Sequence, residues 1–141
     1  MSAVVAVRLA LPVQWGEMDS YGHVNNAVYF RWFESARMTY LARIGWPEVE
    51  RATGIGPILH STSARFRAAL HWPDEVEVGA SVTDLLDDRF TMRYTVTSRK
   101  LDRLAAEGSG IVVAYDYRAG TKTSLPAAVR ERIAALEAAA R

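Results

Sequence analysis

Cysteine is absent from this 141-residue chain. That removes disulfides, a thiolate nucleophile and thiolate metal ligands together, and it fits a reducing compartment. Net charge is nearly absent as well. Seventeen Lys+Arg against 16 Asp+Glu leave +1, so no broad field draws nucleic acid or an anionic membrane. No apolar run reaches the roughly 18 residues of a membrane span. The N-terminal apolar stretch is broken by Arg8, with no basic segment before it and no convincing small-residue cleavage site after it. Neither a secretory leader nor a membrane anchor is expected, and a cytoplasmic protein is. Metal-site spacing is missing among His23, His60 and His71, so no metal site is expected. The Gly-x-Ser-x-Gly nucleophile pattern is missing, because Gly108-Ser109-Gly110 has the wrong spacing. Gly120-Thr121-Lys122-Thr123 lacks the earlier glycine of a phosphate-binding loop.

What is present is an ordinary globular composition, half hydrophobic and 23% charged, of a length suited to one domain over residues 1–141. Val4 to Leu11 alternates as a strand, and Pro12 marks an edge position or the end of pairing. A polar connection follows from Gly16 to Gly22. The spacing predicts a helix over Asn26 to Ile44. At about 100° per residue, Tyr29, Phe30, Trp32, Phe33, Ala36, Tyr40, Leu41 and Ile44 fall on one broad arc, with Arg31, Glu34, Ser35 and Thr39 opposite. Arg37 falls at the edge of that arc, and Met38 is read as core. Asn25 is placed to cap the helix, and Gly45 and Pro47 to end it. Glu48 to Gly56 reads as a connection with at most one helical turn.

Strand patterns then run from Ile58 to Leu70, Glu75 to Asp84, Arg89 to Ser98 and Ala105 to Tyr117. Gly108 and Gly110 suggest a bulge or a close backbone approach. Arg118 to Pro126 reads as a loop, and Ala127 to Ala140 as a short helix. One long helix ahead of an antiparallel meander implies an α+β layer, a curved sheet of about five strands wrapped around that helix. The second face of such a sheet, or its edge strand, needs a partner, which predicts a homo-oligomer.

The polar cluster Asp19, Tyr21, His23, Asn25 and Asn26 lies just ahead of the long helix. One reading is structural, with Asp19 forming an Asx turn and Asn25 a cap. The other is chemical. A helix start offers free N–H groups and partial positive charge, which stabilise an oxyanion, and an upstream acid can reach the same carbonyl. Thioester hydrolysis fits so small a set, because a thiol with a pKa of about 8.5 leaves with little acid assistance. An amide or alkoxide would need a proton donor.

Trp15 to Arg37 resembles the signature region of the hotdog-fold acyl-CoA thioesterases of the 4-hydroxybenzoyl-CoA thioesterase type. The matching residues are Asp19, Gly22, His23-Val24-Asn25-Asn26, Tyr29 and Phe33-Glu34-Ser35-Ala36-Arg37. Looser echoes occur at Arg65-Phe66 and Trp72-Pro73-Asp74-Glu75-Val76. The resemblance implies a hotdog fold, with Asp19 as nucleophile or general base and the backbone N–H of Asn26 as oxyanion donor. It also implies a homodimer or homotetramer with active sites at the subunit interface. The substrate would be an acyl-CoA, with no separate cofactor because coenzyme A is part of the substrate. Tyr21, His23, Asn25, Ser61 and Thr62 are candidate substrate-side residues. Folds of this kind also host acyl-CoA-sensing modules and hydratases. A non-catalytic binding module is therefore the alternative, and the hydratase pattern of an Asp with a His five residues on is not met by Asp19 and His23.

Overall fold

The strand Arg89–Ser98 shows how the sequence pattern becomes a layer. Phe90, Met92, Tyr94, Val96 and Ser98 point inward and are buried, while Thr91, Arg93, Thr95 and Thr97 face out, the period-2 alternation of a half-buried strand. The computed structural model describes residues 5–141. Its elements in chain order are β1 (Val7–Val13), a 3-10 turn (Trp15–Glu17), α1 (Asn26–Arg43), α2 (Trp46–Thr53), β2 (Ile55–Phe66), β3 (Asp74–Thr83), β4 (Arg89–Ser98), β5 (Arg103–Asp116), β6 (Thr121–Lys122) and α3 (Ala127–Ala139). The antiparallel sheet runs β1-β3-β4-β5-β2, with β6 attached to β5. Helix α1 lies across its concave face. The predicted α+β layer, a curved sheet around one long helix, is the arrangement found.

Several expectations need correction. The predicted meander of four strands is a meander of three. β3 is already flanked by β1 and β4, so β2 crosses to the far edge and pairs with β5 from Ile55↔Asp116 to Phe66↔Ala106. β2 begins three residues earlier than expected and ends at Phe66, leaving residues 67–73 to return the chain to β3. β1 begins at Val7 and continues through Pro12 to Val13. It is an edge strand, where the missing proline N–H costs no ladder bond. The Val4 end of the predicted strand lies outside the described residues.

The supposed connection after α1 contains an eight-residue helix, α2, with Pro47 in its first turn. There a proline costs nothing, because those N–H groups have no intrahelical partner. Left-handed glycines bound this helix, Gly45 at φ 71° and Gly54 at φ 80°. Trp46 anchors it, fully buried and donating its indole N–H to the Ile55 carbonyl at 3.1 Å. The irregularities in the ladder fall between Leu59 and Ser61 and between Val96 and Thr97, not at the glycines of β5. The loop after β5 contains the two-residue strand β6.

The core is built on α1. Val28, Tyr29, Trp32, Phe33, Ala36, Tyr40 and Leu41 are buried in it, close to the predicted arc. Met38 is half exposed, because at about 100° per residue it lies about 200° from Ala36, on the solvent side. Phe33 stacks on Tyr94 with ring centroids 4.7 Å apart and planes 7° from parallel. Arg37 is buried and donates to the Tyr94 hydroxyl at 3.2 Å; its i, i+3 partner Glu34 lies 3.8 Å away and is exposed. Glu137 of α3 accepts from the Tyr40 hydroxyl at 2.6 Å and from the Val82 N–H at 3.1 Å. It thereby ties the last helix to α1 and to the end of β3 that β1 leaves unpaired.

Gly108 is required by a close approach. A Cβ there would lie 2.4 Å and 2.6 Å from Phe33 ring atoms and 2.7 Å from the Ser63 carbonyl oxygen. Gly108→Ala should therefore push Phe33 off Tyr94 and lower unfolding free energy by about 1–3 kcal/mol, the usual cost of overpacking. Urea denaturation measures this, and an unchanged midpoint would contradict it.

Candidate functional site

Residues 17–25 form a small hairpin whose end is the start of α1. The Asn25 N–H donates to the Glu17 carbonyl at 2.9 Å, Met18 and Val24 bridge antiparallel, and the Asp19 N–H donates to the His23 carbonyl at 2.8 Å. Gly22, at φ 78°, closes the tip, and its N–H returns to the Asp19 carbonyl at 3.0 Å. A left-handed residue is needed there, and glycine takes that conformation without a Cβ penalty.

Asp19 sits at the last paired position of this hairpin. Its Oδ1 accepts the N–H groups of Tyr21 at 2.9 Å and His23 at 3.4 Å, an Asx turn. No hydrogen bond engages Oδ2 among the described residues. The structural reading of Asp19 therefore occupies one carboxylate oxygen and leaves the other open.

Asn25 is the helix cap, with Oδ1 accepting the Ala27 N–H at 3.0 Å and its carbonyl accepting the Val28 N–H at 2.9 Å. Between these two bonds, the N–H of Asn26 has no partner among the described residues. An unpaired N–H at the first helical position, reinforced by the helix dipole, is a ready anion donor. Asn25 and Asn26 are both solvent-exposed.

The remaining candidates divide. His23 is exposed and packs edge-on against His71, with centroids 5.0 Å apart. The Tyr21 ring extends into solvent beside the tip. Ser61 and Thr62 lie on β2, and the Thr62 hydroxyl donates to the Ser109 carbonyl at 3.2 Å. Within one chain their bonding is to β5, and the structure does not bring them to the Asp19 turn.

Sequence reasoning missed three participants. His71 Nδ1 is 2.8 Å from the Gly22 carbonyl, and its segment also receives the Val24 N–H at the Leu70 carbonyl, 2.9 Å away. Only the 67–73 crossing brings His71 here, so no local pattern announced it. Glu17 and Arg31 are ion-paired, with Glu17 buried. The Gln14 N–H donates to Glu17 Oε1 at 2.7 Å and the Glu17 N–H to the Gln14 carbonyl at 3.0 Å, and the three-residue spacing of Gln14 and Glu17 was the available signal. Among the described residues no group of three His, Asp, Glu or Cys side chains is placed to hold a metal ion. Among the same residues no helix is long and apolar enough to cross a membrane.

Beside the helix start, Tyr29 packs edge-on between Trp32 and Phe66 with centroids at 5.1 Å and 4.9 Å. Burial of its hydroxyl pushes its pKa up from 10.0 to about 12. Burial raises those of Tyr40 and Tyr94 as well.

A family model described as the thioesterase-like superfamily matches residues 13–133. A thioesterase from Thermus thermophilus, solved with coenzyme A and zinc, is 31% identical with a TM-score of 0.84, covering 97% of this chain and 98% of that one. A DHNA-CoA thioesterase from Staphylococcus aureus shares the fold at 20% identity and TM-score 0.81, covering 96% and 95%. A candidate esterase of Aquifex aeolicus (strain VF5) is 33% identical over 85 residues, which is 60% of this chain and 66% of that protein, just under two thirds of its length. The curved sheet around α1 is the hotdog fold of these thioesterases.

The raised tyrosine pKa has a signed consequence. A phenol whose folded value lies above its unfolded value favours folding fully below the unfolded value, and that contribution is lost as pH rises through the folded one. Stability should hold up to about pH 10 and fall toward about pH 12. Melting temperature and phenolate absorbance should change together over that range. Ionisation of all six tyrosines near pH 10, with no loss of stability, would contradict the burial of Tyr29.

Proposed function

This chain belongs to the thioesterase-like superfamily, and from that premise we propose that it hydrolyses an acyl-CoA thioester to the free acid and coenzyme A. The thioester carbonyl oxygen sits at the Asn26 N–H, and the carbonyl carbon faces Asp19 Oδ2. Asp19 either attacks that carbon directly or takes a proton from a water that attacks it. In both routes negative charge grows on the oxygen held at the helix start, where a fixed N–H and the helix dipole stabilise it. Collapse breaks the C–S bond and expels the thiolate, which needs no proton donor to leave. In the direct route the departing thiolate leaves a mixed anhydride on Asp19, which water cleaves to the free acid and the regenerated carboxylate, with the released proton going to the thiolate. In the water route, the proton held by Asp19 ends on the thiolate.

The observation that carries this reading is that two groups at the hairpin–helix junction have no hydrogen-bond partner among the described residues: Oδ2 of Asp19 and the N–H of Asn26. Coenzyme A bound to the Thermus relative supports the substrate class. His23 and Tyr21, exposed at the hairpin, border the entering thioester, and Asn25 holds the helix end in place.

A second copy of the chain completes the assembly. β2 is an edge strand twelve residues long whose outer side has no partner strand among the described residues, and Ile58, Leu59 and Phe66 on it are exposed. An edge of that length is a template for pairing, and antiparallel pairing of two β2 edges gives a homodimer with one continuous sheet. Ser61 and Thr62 then belong to the subunit boundary. Of the arginines available for the coenzyme A phosphates, Arg67, Arg89, Arg93 and Arg99 are each paired with a carboxylate, which leaves Arg65 on β2 and Arg103 on β5 as the sheet candidates without an ion pair among the described residues.

Thiol release across a panel of short, aromatic and long-chain acyl-CoAs tests the proposal. Asp19→Asn keeps an oxygen for the Tyr21 and His23 N–H groups and removes the base, so kcat should fall by about 10²–10⁴-fold with the fold intact. Wild-type turnover in that variant would overturn the mechanism. Acyl-CoA that binds the unmodified protein and stays intact over hours would identify a binding module instead.

A further inference from the structure

Glu17 is a buried carboxylate for which the proposed reaction has no use. Its side chain is 7% exposed, whereas that of Arg31, its ion-pair partner, is 57% exposed. A carboxylate removed from water is costly unless each oxygen finds a donor. Glu17 meets that demand in two directions. Oε1 accepts the Gln14 N–H at 2.7 Å, and Oε2 accepts from the Arg31 guanidinium on the second turn of α1. Its main-chain carbonyl meanwhile holds the Asn25 N–H at 2.9 Å. One residue therefore grips the cap of α1 through its backbone and the body of α1 through its side chain, two positions before Asp19.

The two strands of the hairpin are fastened differently. The returning strand is pinned to the 67–73 crossing by the Val24 N–H to the Leu70 carbonyl. The outgoing strand, which carries Asp19, is fastened by the Glu17 side chain and by Met18 Sδ, which accepts the Trp72 N–H at 3.4 Å. A contact to sulfur holds weakly. The Glu17–Arg31 pair is the stronger, charge-assisted tie. Because Arg31 is largely solvated, the pair contributes little to overall stability. Its effect is on direction.

We propose that Glu17 is a positioning residue: through Arg31 it fixes the height of the outgoing strand against α1, and so the placement of Asp19 Oδ2 relative to the Asn26 N–H. This rests on the reading of Asp19 as the reacting carboxylate. Glu17 touches no substrate. Its loss leaves the helix cap in place but weakens the hairpin bonds of the Asp19 and Asn25 N–H groups and lets the outgoing strand tilt. Reactions of positioned groups are steep in such displacements.

The test uses the full chain and four variants: Glu17→Gln, Arg31→Gln, Arg31→Lys and the Glu17→Gln/Arg31→Gln double. Glu17→Gln retains an acceptor for the Gln14 N–H and removes the charge facing Arg31. It should lower kcat about tenfold while KM stays within about twofold. Arg31→Lys should recover most of the loss seen in Arg31→Gln, and the double variant should be no slower than the worse single one.

Amide exchange gives a readout independent of turnover. In Glu17→Gln the Asp19 and Asn25 amides should exchange about fivefold or more faster, with the amides of Trp32 to Tyr40 unchanged. Wild-type kcat and exchange in Glu17→Gln would overturn the inference. So would a uniform rise in exchange with unchanged kcat per folded molecule, which is the signature of a pair that only holds the fold. If the unmodified protein releases no thiol from any acyl-CoA, the reading of Asp19 fails first, and amide exchange alone still decides whether Glu17 holds the hairpin.

Discussion

The bond from the Asn25 N–H to the Glu17 carbonyl, 2.9 Å long, is the constraint on which the site depends. It sets the register of a hairpin against a helix. With Glu17 opposite Asn25, Met18 falls opposite Val24 and Asp19 opposite His23. Shifting the pairing by one residue would turn the Asp19 side chain to the other face of the ribbon, because the side-chain period of a strand is two. The same bond lets Asn25 act as the cap, which satisfies the Ala27 and Val28 N–H groups and leaves that of Asn26 without a partner among the described residues. Acid and donor are thus products of one register.

The rest of the fold holds that junction still. α1 is enclosed by the sheet on its Tyr29, Phe33, Ala36 and Tyr40 side, so its N-terminus has little freedom to tilt. The stacking of Phe33 on Tyr94 and the close approach of Gly108 fix the middle of the helix. The Tyr40–Glu137 bond fixes its far half to α3. The crossing from β2 to β3 passes beside the hairpin and contributes Leu70, His71 and Trp72 to it. A long-range connection thereby supports a local motif. Burial of aromatic surface along α1 drives the packing, and the hairpin bonds convert that packing into the placement of two polar groups.

Much of this was legible in the chain. The 3.6-residue aromatic stripe located α1 to within a residue at its end, and Asn25 was legible as its cap because Asn is among the side chains that satisfy a helix's first N–H groups. The alternation of Phe90 to Ser98 gave β4 at its observed bounds. Asp19 and Asn26 could be named as candidates from spacing and resemblance, and the structure places them at the hairpin end and at the helix start. What stayed hidden depended on sequence-distant partners. The crossing of β2 to the far edge is decided by β1 occupying the free edge of β3, which no local pattern encodes. His71 reaches the hairpin only through that crossing. Pro47 read as a stop when it is also the first turn of α2, since proline suits both places. Arg37 and Glu17 are charged residues buried by partners that lie elsewhere in the chain or on the next element.

The central claim is that a backbone N–H, not a side chain, receives the oxyanion at residue 26. Asn26→Pro tests it directly. Proline is well tolerated at the first helical position, and Asn25, at φ −61° and ψ 137°, already has the extended backbone that a following proline requires. The variant therefore keeps the helix and deletes only the donor, while Asn26→Ala keeps the donor and deletes only the side chain. Thiol-release kinetics on both should show kcat reduced by about 10²–10³-fold in Asn26→Pro and little changed in Asn26→Ala. Equal activity in the two variants would contradict the claim.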